Sequence, residues 1–142
     1  IPLLRAYSPS ATDHFYTTNA AEMNNAVGNL GYSREGNAAN VFPASGGRTI
    51  PLYRIYRAAQ TDHFYTTNAN ERAQVIASGA SNEGIAAWVY ADGFCPGTIP
   101  LYRVYSQSAD DHFYTTNVAE HNNAIQNLGY TNEGIACYVL PA

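Results

Sequence analysis

Apolar and polar positions along this chain change period in a fixed order, and the order recurs. In the middle third, Pro51-Leu52-Tyr53-Arg54-Ile55-Tyr56 sets β-branched and aromatic residues behind a proline, which predicts a short strand with Pro at its first position. Residues 59–62 read as a turn, and His63-Phe64-Tyr65-Thr66-Thr67 as the second strand of a hairpin. Asn68 then stands three residues before Glu71, as Asn19 does before Glu22 and Asn117 before Glu120. That is the capping-box spacing, in which an N-cap side chain and a third-position carboxylate satisfy the free donors of a helix start. In the first copy Met23, Ala26, Val27 and Leu30 follow at helical spacing, and Gly31 stops the helix. Each unit closes with a Glu-Gly step (Glu35-Gly36, Glu83-Gly84, Glu133-Gly134) and a strand, which covers residues 85–90 and 135–140 in the later copies.

The pentapeptide His-Phe-Tyr-Thr-Thr marks the period. It starts at His14, His63 and His112, 49 residues apart each time. The second copy is one residue shorter in its helix, between Glu71 and Gly79. The 142 residues therefore divide as 1–49, 50–98 and 99–142, within a single domain. Units of this size cannot bury separate cores, so they must share one. The expected fold class is mainly β with short helices (α+β). Three strand-strand-helix-strand repeats should close around a pseudo-threefold axis. A β-trefoil-like arrangement is the alternative, although trefoil units carry four strands and no helix.

Composition narrows the partners. Charged residues are only 13%, all 7 basic residues are arginine, and the net charge is −4. No basic stripe is available to neutralise phosphates, so nucleic acid is excluded as a partner. No apolar run reaches membrane-spanning length, and no membrane insertion is expected. The 12 tyrosines supply rings with an apolar face and a polar tip, which suit neutral, hydroxyl-bearing ligands such as sugars. The chain opens at Ile1-Pro2, the dipeptide repeated at Ile50-Pro51 and Ile99-Pro100, so it is expected to begin on a repeat boundary, as a mature or trimmed chain would. Cys95 and Cys137 permit one disulfide or two free thiols, and spacing does not choose between them.

Several residues are candidates for chemistry. In Asp13-His14, Asp62-His63 and Asp111-His112 adjacent strand residues point to opposite faces, which disfavours an Asp-oriented general base. Asp is expected to finish the hairpin turn through local backbone. For His14, His63 and His112 a ligand contact in each repeat and a structural hydrogen bond stand level, ahead of a zinc ion shared on the axis. Alternation places Tyr16, Tyr65 and Tyr114 on the His face, and Phe15, Phe64 and Phe113 toward the core. Arg5, Arg54 and Arg103 need partners among apolar neighbours, and Glu35, Glu83 and Glu133 are the obvious ones. Such pairs are structural, or present donors and acceptors to vicinal hydroxyls. Trp88 and Tyr138 align with Asn40, and Tyr53 and Tyr102 with Leu4, so the first copy lacks two aromatic groups. The expected ligand-binding set is the three His and three Tyr of the pentapeptides with Arg54, Arg103, Glu83, Glu133, Trp88 and Tyr138. Two of the three sites are expected to work, with the first copy deficient. No catalytic set, metal or cofactor is expected.

Pro-Leu-Tyr-Arg-x-Tyr, Asp-His-Phe-Tyr-Thr-Thr and Glu-Gly-Ile-Ala together resemble a tandem repeat found in secreted bacterial and fungal proteins, often appended to extracellular hydrolases. The likeness spans residues 2–140, with departures at Leu4 and Asn37. It implies a secreted, non-catalytic module, and free-standing versions are similar to fungal lectins. The function expected is glycan binding without catalysis. A secreted hydrolase, or an inhibitor or toxin that binds another protein, is the alternative.

Overall fold

The computed structural model describes all residues, Ile1–Ala142. It is mainly β, 48% strand, with three short helices. In chain order the elements are β1 (Pro2–Ser8), β2 (Asp13–Thr17), α1 (Ala20–Asn29), β3 (Ser33–Asn40), β4 (Thr49–Arg57), β5 (Asp62–Thr66), α2 (Ala69–Ala77), β6 (Ser81–Tyr90), β7 (Ile99–Ser106), β8 (Asp111–Thr115), α3 (Val118–Asn127) and β9 (Thr131–Val139). Each of three successive segments thus runs strand, strand, helix, strand. One sheet has the order β2-β1-β3, the other β5-β4-β6-β9-β7-β8, and every pairing is antiparallel. The inner ends of β3, β6 and β9 touch through single bridges, Asn40 with Leu140, Phe42 with Trp88 and Tyr90 with Tyr138.

The closing strands begin earlier than the sequence predicts because the Glu-Gly step lies inside them. In β4 and β6, Tyr53 faces Ile85 and Ile55 faces Asn82, so Arg54 opposes an extra residue. This is a β-bulge. Gly36, Gly84 and Gly134 have φ of +84, +83 and +83°, which only glycine adopts freely, so the bulge explains the glycine. It also turns the preceding glutamate toward the arginine of the partner strand.

One core of 12 buried residues draws equally on the three segments, for example Leu3, Leu52 and Leu101 with Val41, Val89 and Val139. At its centre stand Tyr16, Tyr65 and Tyr114, each 1% exposed. Their rings meet edge to face in all three combinations, with centroids 5.3, 5.4 and 5.5 Å apart. The Tyr16 hydroxyl donates to the Tyr114 carbonyl at 2.6 Å and accepts from the Tyr114 amide at 2.8 Å. Tyr65 serves the Tyr16 backbone in the same way, and Tyr114 the Tyr65 backbone. These rings are core and cannot touch a ligand, contrary to the sequence expectation. Alternation misassigned them because β2, β5 and β8 are covered on both faces, so the face opposite the phenylalanines is not polar.

The helices pack unequally. Met23 and Ala26 of α1 and Ala124 of α3 are buried, but α2 buries nothing. Arg72 replaces Met23 there and stacks its guanidinium over Tyr53, 4.6 Å from the centroid. His121 lies over Tyr102 in the third segment at 4.7 Å. Leu4, Tyr53 and Tyr102 therefore match the helix residue above them, and the aromatic gap of the first segment is a packing choice. The loosest helix is therefore α2. Cys95 and Cys137 are free thiols, and burial pushes Cys137 up to about 12.

Tyr65→Phe removes one hydroxyl and strands both a buried amide and a buried carbonyl. It is expected to cost about 2 kcal/mol or more, at roughly 1–3 kcal/mol per unsatisfied buried group, read as a lowered midpoint in equilibrium denaturant unfolding. An unchanged midpoint would show that these hydrogen bonds do not contribute.

Candidate functional site: grooves between adjacent segments

The bulge and the helix start converge wherever one segment meets the next. Arg54 donates from both terminal nitrogens to Glu22 of the preceding segment, at 2.9 and 2.8 Å. Its Nε lies 2.9 Å from Oε1 of Glu83, an ion pair without aligned hydrogen-bond geometry. Arg103 repeats this with Glu71 and Glu133, and Arg5 with Glu120 and Glu35. Each guanidinium also lies over a phenylalanine of the preceding segment, Phe15, Phe64 or Phe113, at 5.0–5.3 Å. The expected Arg–Glu partnership is thus present, and half of each arrangement is a glutamate the sequence reading gave to helix capping alone. The asparagine caps do hold, accepting from the amides of Glu22, Glu71 and Glu120. The glutamate side chains do not return to the cap. Thr17, Thr66 and Thr115 accept from the cap amide instead and donate to the same carboxylates.

Aspartate and histidine pair across segments rather than along the chain. His63 Nδ1 lies 2.6 Å from Oδ2 of Asp13, and the His63 amide donates to Oδ1 at 2.8 Å. His112 binds Asp62 and His14 binds Asp111 in the same manner. These aspartates are wholly buried. The expectation that they bond local backbone is corrected: a buried carboxylate needs several donors, and the next segment supplies them. The Asp13, Asp62 and Asp111 carboxylates lie within 4.8 Å of one another. Every one of their oxygens already accepts a hydrogen bond from the chain. Because the carboxylate accepts, each Nδ1 carries the proton and Nε2 is left toward the groove. It lies 3.6–3.8 Å from Glu35, Glu83 or Glu133. Each imidazole is stacked between a tyrosine of its own segment and a phenylalanine of the neighbour, as His63 is between Tyr56 and Phe15 at 4.6 and 4.8 Å.

Three grooves result, of about 460, 430 and 300 Å³. The first holds His14 and Glu35 against Phe113 and Glu120. The second holds His63, Arg54 and Glu83 against Phe15 and Glu22, and the third His112, Arg103 and Glu133 against Phe64 and Glu71. Of the residues singled out from sequence, these histidines, arginines and glutamates are brought together. Trp88 and Tyr138 are not. They lie half-buried where β6 and β9 meet the β3 end and the Gly93 loop, outside all three grooves. Tyr7, Tyr56 and Tyr105, Asn25 and Asn123, and the exposed Leu30 and Leu128 are lining residues the sequence reading missed, whereas Phe15, Phe64 and Phe113 are buried as expected and also border the grooves. Their contacts cross segment boundaries, which one repeat read alone cannot reveal.

Chemically, each groove offers partly exposed carboxylates fixed by an arginine, an imidazole nitrogen, and an aromatic wall. Hydrogen bonds from Arg54 and Arg103 hold Glu22 and Glu71 below their ordinary value of 4.5, against the upward push of burial. For a lowered carboxylate the stabilisation is complete above the ordinary value and is lost as pH falls through the lowered one. Thermal stability is therefore expected to stay level from about pH 7 to 5 and to fall below pH 4.5. Glu71→Gln should lower stability at neutral pH and flatten the acid limb. An acid limb as steep as that of the parent would exclude this ion pair as a source.

The model of a family described only as a domain of unknown function, DUF5648, matches residues 2–140. No curated protein and no solved structure matches the chain. With nearly its full length covered, the chain belongs to the DUF5648 family.

Proposed function

We propose that the chain is a secreted carbohydrate-binding protein, a lectin, with related non-catalytic sites in the grooves between its segments. The observation that carries this reading is the pairing, in each groove, of arginine-fixed glutamates with an aromatic wall. Fixed carboxylates accept hydrogen bonds from adjacent hydroxyls at little entropic cost. The half-buried Tyr7, Tyr56 or Tyr105 in the same groove supplies a ring to cover an apolar sugar face. The net charge of −4 fits neutral glycans better than polyanions. Such single sites are weak, and several on one chain would supply avidity. We further propose that the segments close around a pseudo-threefold axis, with a glycan at the periphery of each junction. The cyclic tyrosine hydrogen bonds and the cyclic Arg–Glu pairs support that arrangement.

One observation favours a hydrolase as the second reading. An aspartate fixes Nδ1 of each histidine at 2.6–2.7 Å and leaves Nε2 toward the groove, as a general base requires. Against it, the polar atom recorded beside Nε2 is a glutamate oxygen, and the same set is present in all three junctions.

A glycan array with the full chain, followed by calorimetric titration, is expected to find a neutral glycan bound without turnover. Arg54→Lys, which cannot keep the two-pronged contact with Glu22, should weaken binding per chain while the fold persists. Absence of binding to any glycan would sink the lectin reading, and release of product from the bound glycan would favour the hydrolase.

A further inference from the structure

We infer that the His14 and His63 grooves are a matched pair of sites for a sugar that carries a methyl group, and that Arg57 withdraws the third groove from use. The inference rests on the lectin reading and adds the number of working sites, the residue that sets it and the chemical class of the ligand.

The inequality begins with one missing hydroxyl. In the first and third segments the hydroxyls of Tyr32 and Tyr130 donate at 2.5 Å to the buried Asp13 and Asp111. The second segment, shortened in its helix, has Ala80 in that place. Its buried Asp62 takes the missing hydrogen bond from Arg57, Nη1 to Oδ2 at 2.9 Å. Arg57 occupies the position that Ser8 and Ser106 hold in the other segments.

The substitution closes a groove. Nη1 of Arg57 also reaches Oδ1 of Asp110 at 2.7 Å, and the Tyr105 hydroxyl donates to that same oxygen at 2.6 Å. Arg57 comes from the second segment and Asp110 from the third, so the ion pair spans the junction. Thr12 and Thr61 stand where Asp110 does and line their grooves without such a bridge. Val75 replaces Ala26 and Ala124 on the helix wall, adding bulk. Arg57 divides the third groove, leaving about 300 Å³ beside His112 and a separate pocket of about 330 Å³ beside Gln60 and Ala80, where the other junctions hold single grooves of 460 and 430 Å³. A ligand entering it must displace a charged side chain that already serves two carboxylates.

The ligand class follows from the rim. Leu30 and Leu128, at the ends of α1 and α3, are 60% and 59% exposed, and each lines its groove beside a buried alanine and a phenylalanine. In the third groove the same position is Ser78. The matched grooves thus set an apolar strip against a wall of carboxylate and imidazole. A 6-deoxyhexose or an N-acetylhexosamine presents a methyl group to one wall and hydroxyls to the other. A plain hexose leaves the leucine uncovered.

The test is an amide NMR titration of the full chain with L-fucose and with N-acetyl-D-glucosamine, each beside its counterpart without the methyl group, L-galactose and D-glucose. Gly31, Gly129 and Gly79 follow the three rim residues and report the grooves separately. One methyl-bearing sugar is expected to move Gly31 and Gly129 with half-saturation within about threefold of each other, and tighter than its counterpart by about fivefold, the size of a methyl contact near 1 kcal/mol. Gly79 should stay in place. Leu30→Ser and Leu128→Ser, both at exposed positions, should each silence one groove and spare the other. Arg57→Ser should bring a response at Gly79; if it does not fold, Asp110→Thr, which restores the residue type of the other turns, should do so. Equal responses at all three glycines, a response at only one of the pair, or equal affinity for the sugars without the methyl group would overturn the inference while the lectin reading stands. Failure of both Arg57→Ser and Asp110→Thr to open the third groove would overturn the role of Arg57. Binding of no glycan at all would overturn both readings.

Discussion

Three phenol hydroxyls at the centre of the chain hold the segments in register. Each satisfies both the amide and the carbonyl of a tyrosine on another segment, so no segment can shift without stranding buried backbone polar groups. The rings around them meet edge to face, which adds contact without a void. Burial pushes the hydroxyls far above the ordinary tyrosine range, so they remain protonated donors at neutral pH.

Moving outward, the same junctions carry the aspartate–histidine pairs and then the Arg–Glu sets. Polarity and exposure rise together along that path: the aspartates are fully buried, the arginines 13–14% exposed in their side chains, and the bulge glutamates 28–31%. This gradient is what makes the outer shell a candidate for recognition. The inner carboxylates have every oxygen committed, whereas the outer ones are fixed on one side and open on the other. The grooves are therefore built from pairs of segments, and each depends on two segments being adjacent.

Much of this was legible in the sequence. The 49-residue spacing of the pentapeptide located the segments, the Asn-x-x-Glu pattern located the helix starts, and Arg54 among apolar neighbours demanded Glu83. What failed shares one cause. Within a single unit Tyr65 falls on a polar face, Asp62 on a local turn and Glu71 in a cap, whereas the partner of each lies in another segment. Tyr65 serves Tyr16, Asp62 serves His112, and Glu71 serves Arg103. The aromatic gap at Leu4 has the same origin: Leu4 is matched to Met23 by packing, and the departures at Arg57 and Ala80 acquire meaning only beside Asp62 and Asp110.

The central claim is that recognition occurs in the grooves between segments and not on the aromatic cluster around Trp88. A crystal of the full chain soaked with a mixture of neutral monosaccharides addresses it most directly. Sugar density is expected against Glu83 and His63 with a ring edge toward Leu30, and its equivalent against Glu35 and His14 toward Leu128. Sugar density confined to Trp88, Tyr138 or Phe94, with nothing in the grooves, would contradict it.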